Sequence, residues 1–226
     1  MGFADLAPVP QSRRFGFPRA VSFGLAIPPE IIASVVEGPT LEYRATYDAL
    51  NARLTELARE TAEWLRAKGW RSESCPSTGD IDWKEIRAPF SHKMAATLAG
   101  LGWIGKCDLL VNPEFGAAVR WVSVLTEAPL TCGTPITESR CGTCMNCVEA
   151  CPGYAANGKL WRQGMAREEF WDPRACLAGM KKINEERGLN VFICGICVAV
   201  CPFTQVAIGR SQQQEKKRCT SGSIAR

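Results

Sequence analysis

The sequence lacks the features that would direct it out of the cell or into a membrane. Its first ten residues, MGFADLAPVP, have no basic start and no long apolar stretch, so we predict no signal peptide. The best candidate for a membrane span, residues 20–36, is interrupted by Pro28, Pro29 and Glu30. It therefore falls short of the roughly 18 apolar residues that a span needs. We expect a cytoplasmic protein that has no membrane partner.

Histidine is nearly absent, because His92 is the only one in 226 residues. A hydrolytic site built on a His pair or a Cys–His pair is therefore not expected. Long runs of one charge are also missing, and the formal net charge is only +4. With 46% hydrophobic residues, the chain can nevertheless bury a sizeable core.

Cysteine, in contrast, is abundant, with 12 residues. In a reducing compartment, clustered cysteines indicate metal binding rather than disulfides. Residues 141–152, CGTCMNCVEACP, match the bacterial ferredoxin spacing C-x₂-C-x₂-C-x₃-C-P. Three thiolates at two-residue gaps can bind three irons of one [4Fe–4S] cube, and the fourth cysteine of such a run ligates the other cluster.

A second motif lies downstream, in residues 192–202, FICGICVAVCP. It provides C-x₂-C-x₃-C-P, but Val191 stands where a full repeat would have another cysteine, and Cys176 is the natural substitute. Crossed ligation then predicts two sets of four. The first ligand set is Cys141, Cys144, Cys147 and Cys201; the second ligand set is Cys151, Cys176, Cys194 and Cys197.

Zinc is the alternative metal, but structural zinc sites usually have separated cysteine pairs, which fits these spacings poorly. Two [4Fe–4S] clusters with thiolate ligands would add a charge of about −4 and bring the protein near neutrality. We therefore do not interpret the positive charge as a nucleic-acid signal.

The order of predicted elements indicates an α+β fold. Strands are predicted at 20–27, 70–75, 107–111 and 117–126, and helices at 40–68 and 90–101. We predict an N-terminal α/β sandwich-like unit over residues 1–130 that contains a cofactor or substrate pocket. A ferredoxin-like two-cluster module follows over residues 131–210, and residues 211–226 are expected to be a disordered polar tail.

Other candidate site residues lie in the N-terminal unit. Gly100, Gly102 and Gly105 match G-x-G-x-x-G, but they follow a predicted helix and precede a strand, which reverses the dinucleotide-binding context. A tight turn is the simpler interpretation. His92, Asp80 and Asp82 are candidate acids or bases, although a lone His at a helix start is more often a packing or capping residue. Of the remaining cysteines, Cys107 is expected in the core, Cys75 is the best candidate to face a cavity, and Cys132 and Cys219 have no predicted role.

Several segments together resemble epoxyqueuosine reductases: residues 92–96 (HKMAA), 100–106 (GLGWIGK), 109–116 (LLVNPEFG), 125–130 (LTEAPL) and 194–202 (CGICVAVCP). The resemblance covers roughly residues 20–205. It implies a base-off cobalamin beside two [4Fe–4S] clusters, in a layout similar to that of reductive dehalogenases. It also implies that the clusters pass electrons to a centre held by the N-terminal unit.

The chain departs from the family pattern in three ways. It is much shorter, and its tail after residue 205 has no counterpart of the helical domain that contacts tRNA. The family's proton-donating Asp-Thr-Gly matches Ser77-Thr78-Gly79 here, so Ser77 stands in place of the acid. These departures argue against tRNA as the substrate and leave cobalamin binding open. We predict a reductase that relays single electrons from a donor such as ferredoxin or flavodoxin to a small-molecule or corrinoid partner. Ser77, Gly100, Gly102 and Gly105 border its cofactor pocket. The alternative is a ferredoxin-like carrier with a docking domain and no catalytic site.

Overall fold

The computed structural model describes the backbone of residues 1–77 and 81–221, and the side chains as far as residue 213. The strands are β1 (Gly2–Asp5), β2 (Arg19–Ala26), β3 (Ser72–Cys75), β4 (Trp103–Ile104), β5 (Leu110–Val111) and β6 (Val119–Thr126). The helices are α1 (Gln11–Arg14), α2 (Pro29–Ala33), α3 (Leu41–Ala67), α4 (His92–Leu98), α5 (Asn146–Glu149), α6 (Pro173–Glu186), α7 (Ile196–Ala199) and α8 (Pro202–Ser221), with a 3₁₀ turn at Arg167–Glu169.

The N-terminal part is built on a four-stranded antiparallel sheet with the order β1-β2-β6-β3. The long central pair, β2 and β6, runs in register from Arg19 opposite Thr126 to Ala26 opposite Val119. The short strands β4 and β5 form a separate pair. Because β6 is central and its inner positions are buried, it forms the rigid middle of this part of the protein.

Helix α3 covers one face of the sheet. The Thr40 side chain caps it by accepting a hydrogen bond from the backbone N–H of Tyr43, and Gly69 follows its end with a φ of +87°. Its apolar stripe recurs at three- and four-residue intervals and packs on β2 and β6. That core contains Leu54, Ala58, Ala62 and Leu65 from the helix and Val21, Val122 and Val124 from the sheet.

Helix α4 covers the opposite face. The Ser91 side chain caps it by accepting a hydrogen bond from the backbone N–H of Met94. Its small apolar residues let it approach the sheet closely, where Ala95 and Leu98 contact Ala20 and Leu125. The chain is thus a mixed α/β fold with helices on both faces of one sheet.

A further core joins the regions before and after residue 130. It contains Ile27, Tyr43 and Trp103 from the first region and Val198 and Ile208 from the second. The predicted boundary at 130 therefore does not separate two cores. The helices near the cysteines are packed directly onto α2 and α3, which makes their position depend on the N-terminal sheet.

Two expectations differ from the structure. Helix α8 extends to Ser221 and so includes residues 211–221 of the predicted tail; residues such as Gln, Lys and Glu have good helix propensity, so polarity alone does not exclude a helix. The remainder of the predicted tail, 222–226, lies outside the described residues. The predicted strand at 107–111 is shorter, because residues 105–108 turn and Asp108 has a φ of +61°. None of the helices in the described ranges is long and apolar enough to cross a membrane.

Candidate metal centre

The four cysteines of the first ligand set line one cavity, together with Gly105, Lys106, Cys107, Val111, Pro202 and Phe203. Cys141 and Cys144 come from the loop that leads into α5, Cys147 lies within α5, and Cys201 comes from the junction of α7 and α8. The spacing motif and its distant partner are thus brought together by the packing of the short helices α5 and α7. Burial raises the pKa of Cys201, while the backbone N–H groups of Thr204 and Phe203 lie where they stabilise its thiolate.

The second ligand set is gathered around the start of α6. Burial raises the pKa of Cys176 to about 12, and the nearby thiols of Cys151 and Cys194 add to the effect. Burial also raises the pKa of Cys194, and the nearby thiol of Cys151 adds to this effect. These three sulfurs therefore share one partly buried region. Cys197, in α7, lies near Tyr43, where burial first and the nearby thiols of Cys197 and Cys194 in addition raise the pKa of the Tyr43 hydroxyl.

Two glycines without side chains bring Cys176 close to Cys151. A Cβ atom at Gly179 would lie 2.3 Å from the backbone N of Gly153, and one at Gly153 would lie 2.2 Å from the carbonyl oxygen of Ala175. Helix α6 can therefore approach the turn after Cys151 only because both positions are glycine.

Within the described residues, no three His, Cys, Asp or Glu side chains are grouped tightly enough for a single metal ion. The cysteines instead border larger spaces in groups, with sulfur as the common donor. This donor set suits [4Fe–4S] clusters, which are held by four thiolates each. The thiolates present therefore fit [4Fe–4S] clusters, and the assignment of each ligand set to one cluster stays a prediction.

Lys106 and Cys107 also line the cavity of the first ligand set, although the cysteine spacing does not point to them. Cys107 is buried and within hydrogen-bonding reach of both Cys147 and Cys197, so it contacts one member of each ligand set. Cys107 is buried, as expected of a core residue, but the expectation did not include its closeness to the predicted ligands Cys147 and Cys197. Lys106 is only 3% exposed, and its Nζ donates to the carbonyl oxygen of Cys144 at 2.9 Å. No sequence motif connects residues 106–107 with the later cysteines.

The three predicted glycines have different surroundings. Gly105 lines the first cavity, and a Cβ atom there would lie 3.6 Å from Sγ of Cys141. A Cβ atom at Gly100, whose φ is +75°, would meet the carbonyl oxygen of Thr134 at 2.6 Å, and one at Gly102 would meet that of Val111 at 2.3 Å. Gly100 and Gly102 thus serve close backbone packing, and only Gly105 faces the cysteines.

Ser77 and His92 lie near the end of β3, where Ser77 contacts α3 and His92, the first residue of α4, contacts β6. The Ser77 hydroxyl donates to the carbonyl oxygen of Asn51 at 2.9 Å. In His92, Nε2 lies 3.0 Å from the carbonyl oxygen of Pro76, and Nδ1 lies 3.1 Å from Oγ of Ser123. Since a carbonyl can only accept, Nε2 carries the proton and Nδ1 accepts from the Ser123 hydroxyl. Burial lowers the pKa of His92 to about 4, so the ring is neutral at pH 7 and both of its nitrogens are engaged.

Asp82 is not part of this group of residues. Asp82 is exposed and caps its own turn, because its Oδ1 accepts from the backbone N–H of Lys84 at 2.9 Å. Asp80 lies outside the described residues, as do Thr78 and Gly79. Cys75 packs against the core under α4, and burial raises its pKa to about 12.

Comparison with known proteins supports the same chemistry. A family model described as a 4Fe-4S double cluster binding domain matches residues 140–204, a segment that contains all eight predicted ligands. The prediction of two [4Fe–4S] clusters is therefore confirmed. The epoxyqueuosine reductase of Synechococcus sp. (strain CC9605) is 34% identical over 159 residues, covering 65% of this chain and 45% of the relative. That of Listeria monocytogenes is 30% identical over 143 residues, which is 60% of this chain and 33% of the relative.

Solved structures share the fold. An epoxyqueuosine reductase crystallised with a tRNA-Tyr epoxyqueuosine-modified tRNA stem loop aligns with 84% of this chain and 49% of its own, at a TM-score of 0.54 and 22% identity. A catabolic reductive dehalogenase in complex with 3-bromo-4-hydroxybenzoic acid aligns with 83% of this chain and 26% of its own, at a TM-score of 0.61 and 20% identity. The chain spans less than half the length of the two curated relatives named above. The resemblance inferred from the motifs is confirmed: this is an iron–sulfur protein that resembles the epoxyqueuosine reductases and matches a 4Fe-4S double cluster binding domain over residues 140–204.

Proposed function

We propose that the chain is an iron–sulfur oxidoreductase that accepts single electrons from a carrier such as ferredoxin or flavodoxin. It delivers them to a substrate or cofactor held by residues 1–130, which we take as the α/β sandwich-like counterpart of the cobalamin-binding half of the family. When bound, the two [4Fe–4S] clusters supply one-electron transfer. The observation that carries the proposal is the grouping of Cys201 with three cysteines that lie more than fifty residues earlier, around one cavity.

In this proposal, the first ligand set binds one cluster and the second ligand set binds the other. The short helices α5 and α7 hold the sulfurs in fixed positions, and the glycine contact between α6 and the turn after Cys151 holds Cys176. Gly105 leaves room beside Cys141 for the cluster. The shared core between the N-terminal sheet and α7 keeps the clusters in a constant position relative to residues 1–130.

The first experiment is metal and sulfide analysis of anaerobically purified protein, with optical and EPR spectra. We expect about eight iron and eight sulfide per chain. Cys201→Ala should lose one cluster, because its absence leaves the first ligand set with three thiolates. The control, Cys132→Ala, removes a thiol whose hydrogen-bond partner is only the carbonyl oxygen of Leu130 and should keep the full iron content. Bound zinc without sulfide, found in protein that was never exposed to air, would contradict the proposal.

A second candidate, a ferredoxin-like carrier with no catalytic site, is favoured by the state of the acid–base residues. Both ring nitrogens of His92 are engaged internally, and Asp82 caps a turn, so neither is free to transfer a proton to a substrate. Anaerobic titration with hydroxocobalamin separates the two candidates. A stoichiometric complex favours the reductase, whereas redox-active clusters without corrinoid binding favour the carrier. A tRNA stem loop, the ligand of the solved relative, is the comparison ligand, and we expect it not to bind.

A further inference from the structure

A buried lysine faces the first ligand set without a carboxylate partner among the described residues. Lys106 is 3% exposed, and its Nζ lies 2.9 Å from the carbonyl oxygen of Cys144 and 3.4 Å from Sδ of Met145. The ion pairs found in the described ranges do not include it. Burying an ammonium group is costly unless a negative charge compensates it. The nearest source of that charge is the group of thiolates lining the same cavity.

The second ligand set has a different electrostatic environment. Asp108, whose side chain is 7% exposed, forms an ion pair with Lys93. Both members of this pair lie near Cys176, where Asp108 raises the pKa of the thiol and Lys93 lowers it. Beside Cys176, the positive charge of Lys93 is therefore opposed by the negative charge of its partner Asp108.

The two environments are set up by three consecutive residues. Lys106 contacts the first set, Cys107 lies beside Cys147 and Cys197, and Asp108, paired with Lys93, lies near Cys176 of the second set. The segment 106–108 thus passes between the two sets and presents a net positive charge to only one of them.

A [4Fe–4S] cube with four thiolates carries a charge of about −2 when oxidised and gains one more negative charge on reduction. A nearby positive charge in a partly buried site stabilises the reduced form more than the oxidised form. We propose that Lys106 raises the reduction potential of the cluster held by the first ligand set above that of the second. One electron added to the chain then rests on the first cluster, and no bond or proton transfer is involved. The inference depends on the ligand sets of the proposed function.

The test is an anaerobic redox titration of the cluster-loaded protein with dithionite, followed by EPR. Lys106→Gln keeps a hydrogen-bond donor but removes the charge. We expect it to lower the reduction potential of the higher-potential couple by about 59 mV or more, which is a tenfold change in the one-electron equilibrium constant. The lower-potential couple should stay in place. Lys106→Arg keeps the charge, so it should change the reduction potential of the same couple by less than half of that shift. The control, Lys181→Met, removes an exposed lysine on α6 and should leave both couples unchanged.

The two couples are assigned with ligand variants, Cys144→Ala for the first set and Cys176→Ala for the second. If Lys106→Gln does not retain iron, Lys106→Met provides a second neutral side chain, and failure of both to hold the first cluster while retaining the second supports the charge role. Unchanged potentials in a neutral variant with full iron content overturn the inference, as does a shift confined to the second cluster. A wild-type protein without iron and sulfide would overturn the proposed function instead, so the two failures are distinguishable.

Discussion

Replacing Gly179 with alanine tests whether close packing of α6 holds the second cluster. The new Cβ would lie 2.3 Å from the backbone N of Gly153 and 2.4 Å from its Cα. Both obstacles are backbone atoms, so no flexible side chain can move aside. To reach ordinary van der Waals contact, the helix and the turn must separate by about 1 Å in an otherwise close-packed region.

A separation of this size exceeds what a metal–thiolate bond can absorb, since ligand distances in metal sites vary by only about 0.2 Å. Cys176 on α6 would move away from Cys151, and we expect the variant to lose about four of its eight irons. We also expect the free energy of unfolding to fall by about 1–3 kcal/mol from overpacking, partly offset by a gain of up to about 1 kcal/mol in helix propensity.

The matched control is Gly209→Ala in α8, where a Cβ atom would meet nothing within 4 Å. It receives the same propensity gain without the clash, so it should keep all eight irons and be slightly stabilised. Iron analysis, EPR and anaerobic denaturation measure both variants. A Gly179→Ala protein with full iron content and unchanged EPR spectra would refute the packing argument.

Three further predictions concern the sheet and its contacts. His92 has a folded pKa of about 4, below the unfolded value of about 6.5, so its stabilising effect is present above pH 6.5 and is lost as the pH falls towards 4. Its contribution at pH 5 should be about 2 kcal/mol smaller than at pH 8, and His92→Gln should remove this pH dependence. Leu54→Ala should lower the free energy of unfolding by about 3–5 kcal/mol, because Leu54 is fully buried between α3 and the sheet. Thr204→Val should lower it by about 1–3 kcal/mol, because the buried Thr204 Oγ1 accepts from the backbone N–H of Ala117 at 3.0 Å and valine leaves that donor unpaired.

Anaerobic urea denaturation, followed by tryptophan fluorescence, measures all three variants. The first prediction would be contradicted if the free energy of unfolding fell by the same amount between pH 8 and pH 5 in His92→Gln and in the wild type. For the second, Leu41→Ala is the control, since Leu41 is 66% exposed and its loss should cost little; similar losses at both positions would contradict the burial argument. For the third, Thr204→Ser keeps the hydroxyl, so a Ser variant as unstable as Val would show that the hydrogen bond is not the cause.

The alternating patterns in the sequence predicted the main elements of the N-terminal part. The apolar periodicity over residues 40–68 corresponds to α3, and the alternation over residues 117–126 corresponds to β6. The sequence did not reveal β1, which is only four residues long and is held by pairing with β2. Short strands have weak local signals because their stability comes from the neighbouring strand.

The cysteine spacing by itself determined the type of cofactor and the predicted division into two ligand sets, because a cube constrains thiolates that are close in the chain. Only the tertiary structure revealed the role of residues 106–108. They are distant in sequence from the cysteines, they form no periodic pattern, and their position between the two sets results from packing of the N-terminal sheet on α7 and α8. Burial of Lys106 and the pairing of Asp108 with Lys93 are likewise properties of the packed molecule. The sequence therefore determines which residues can bind the clusters, and the fold decides which charges surround each one.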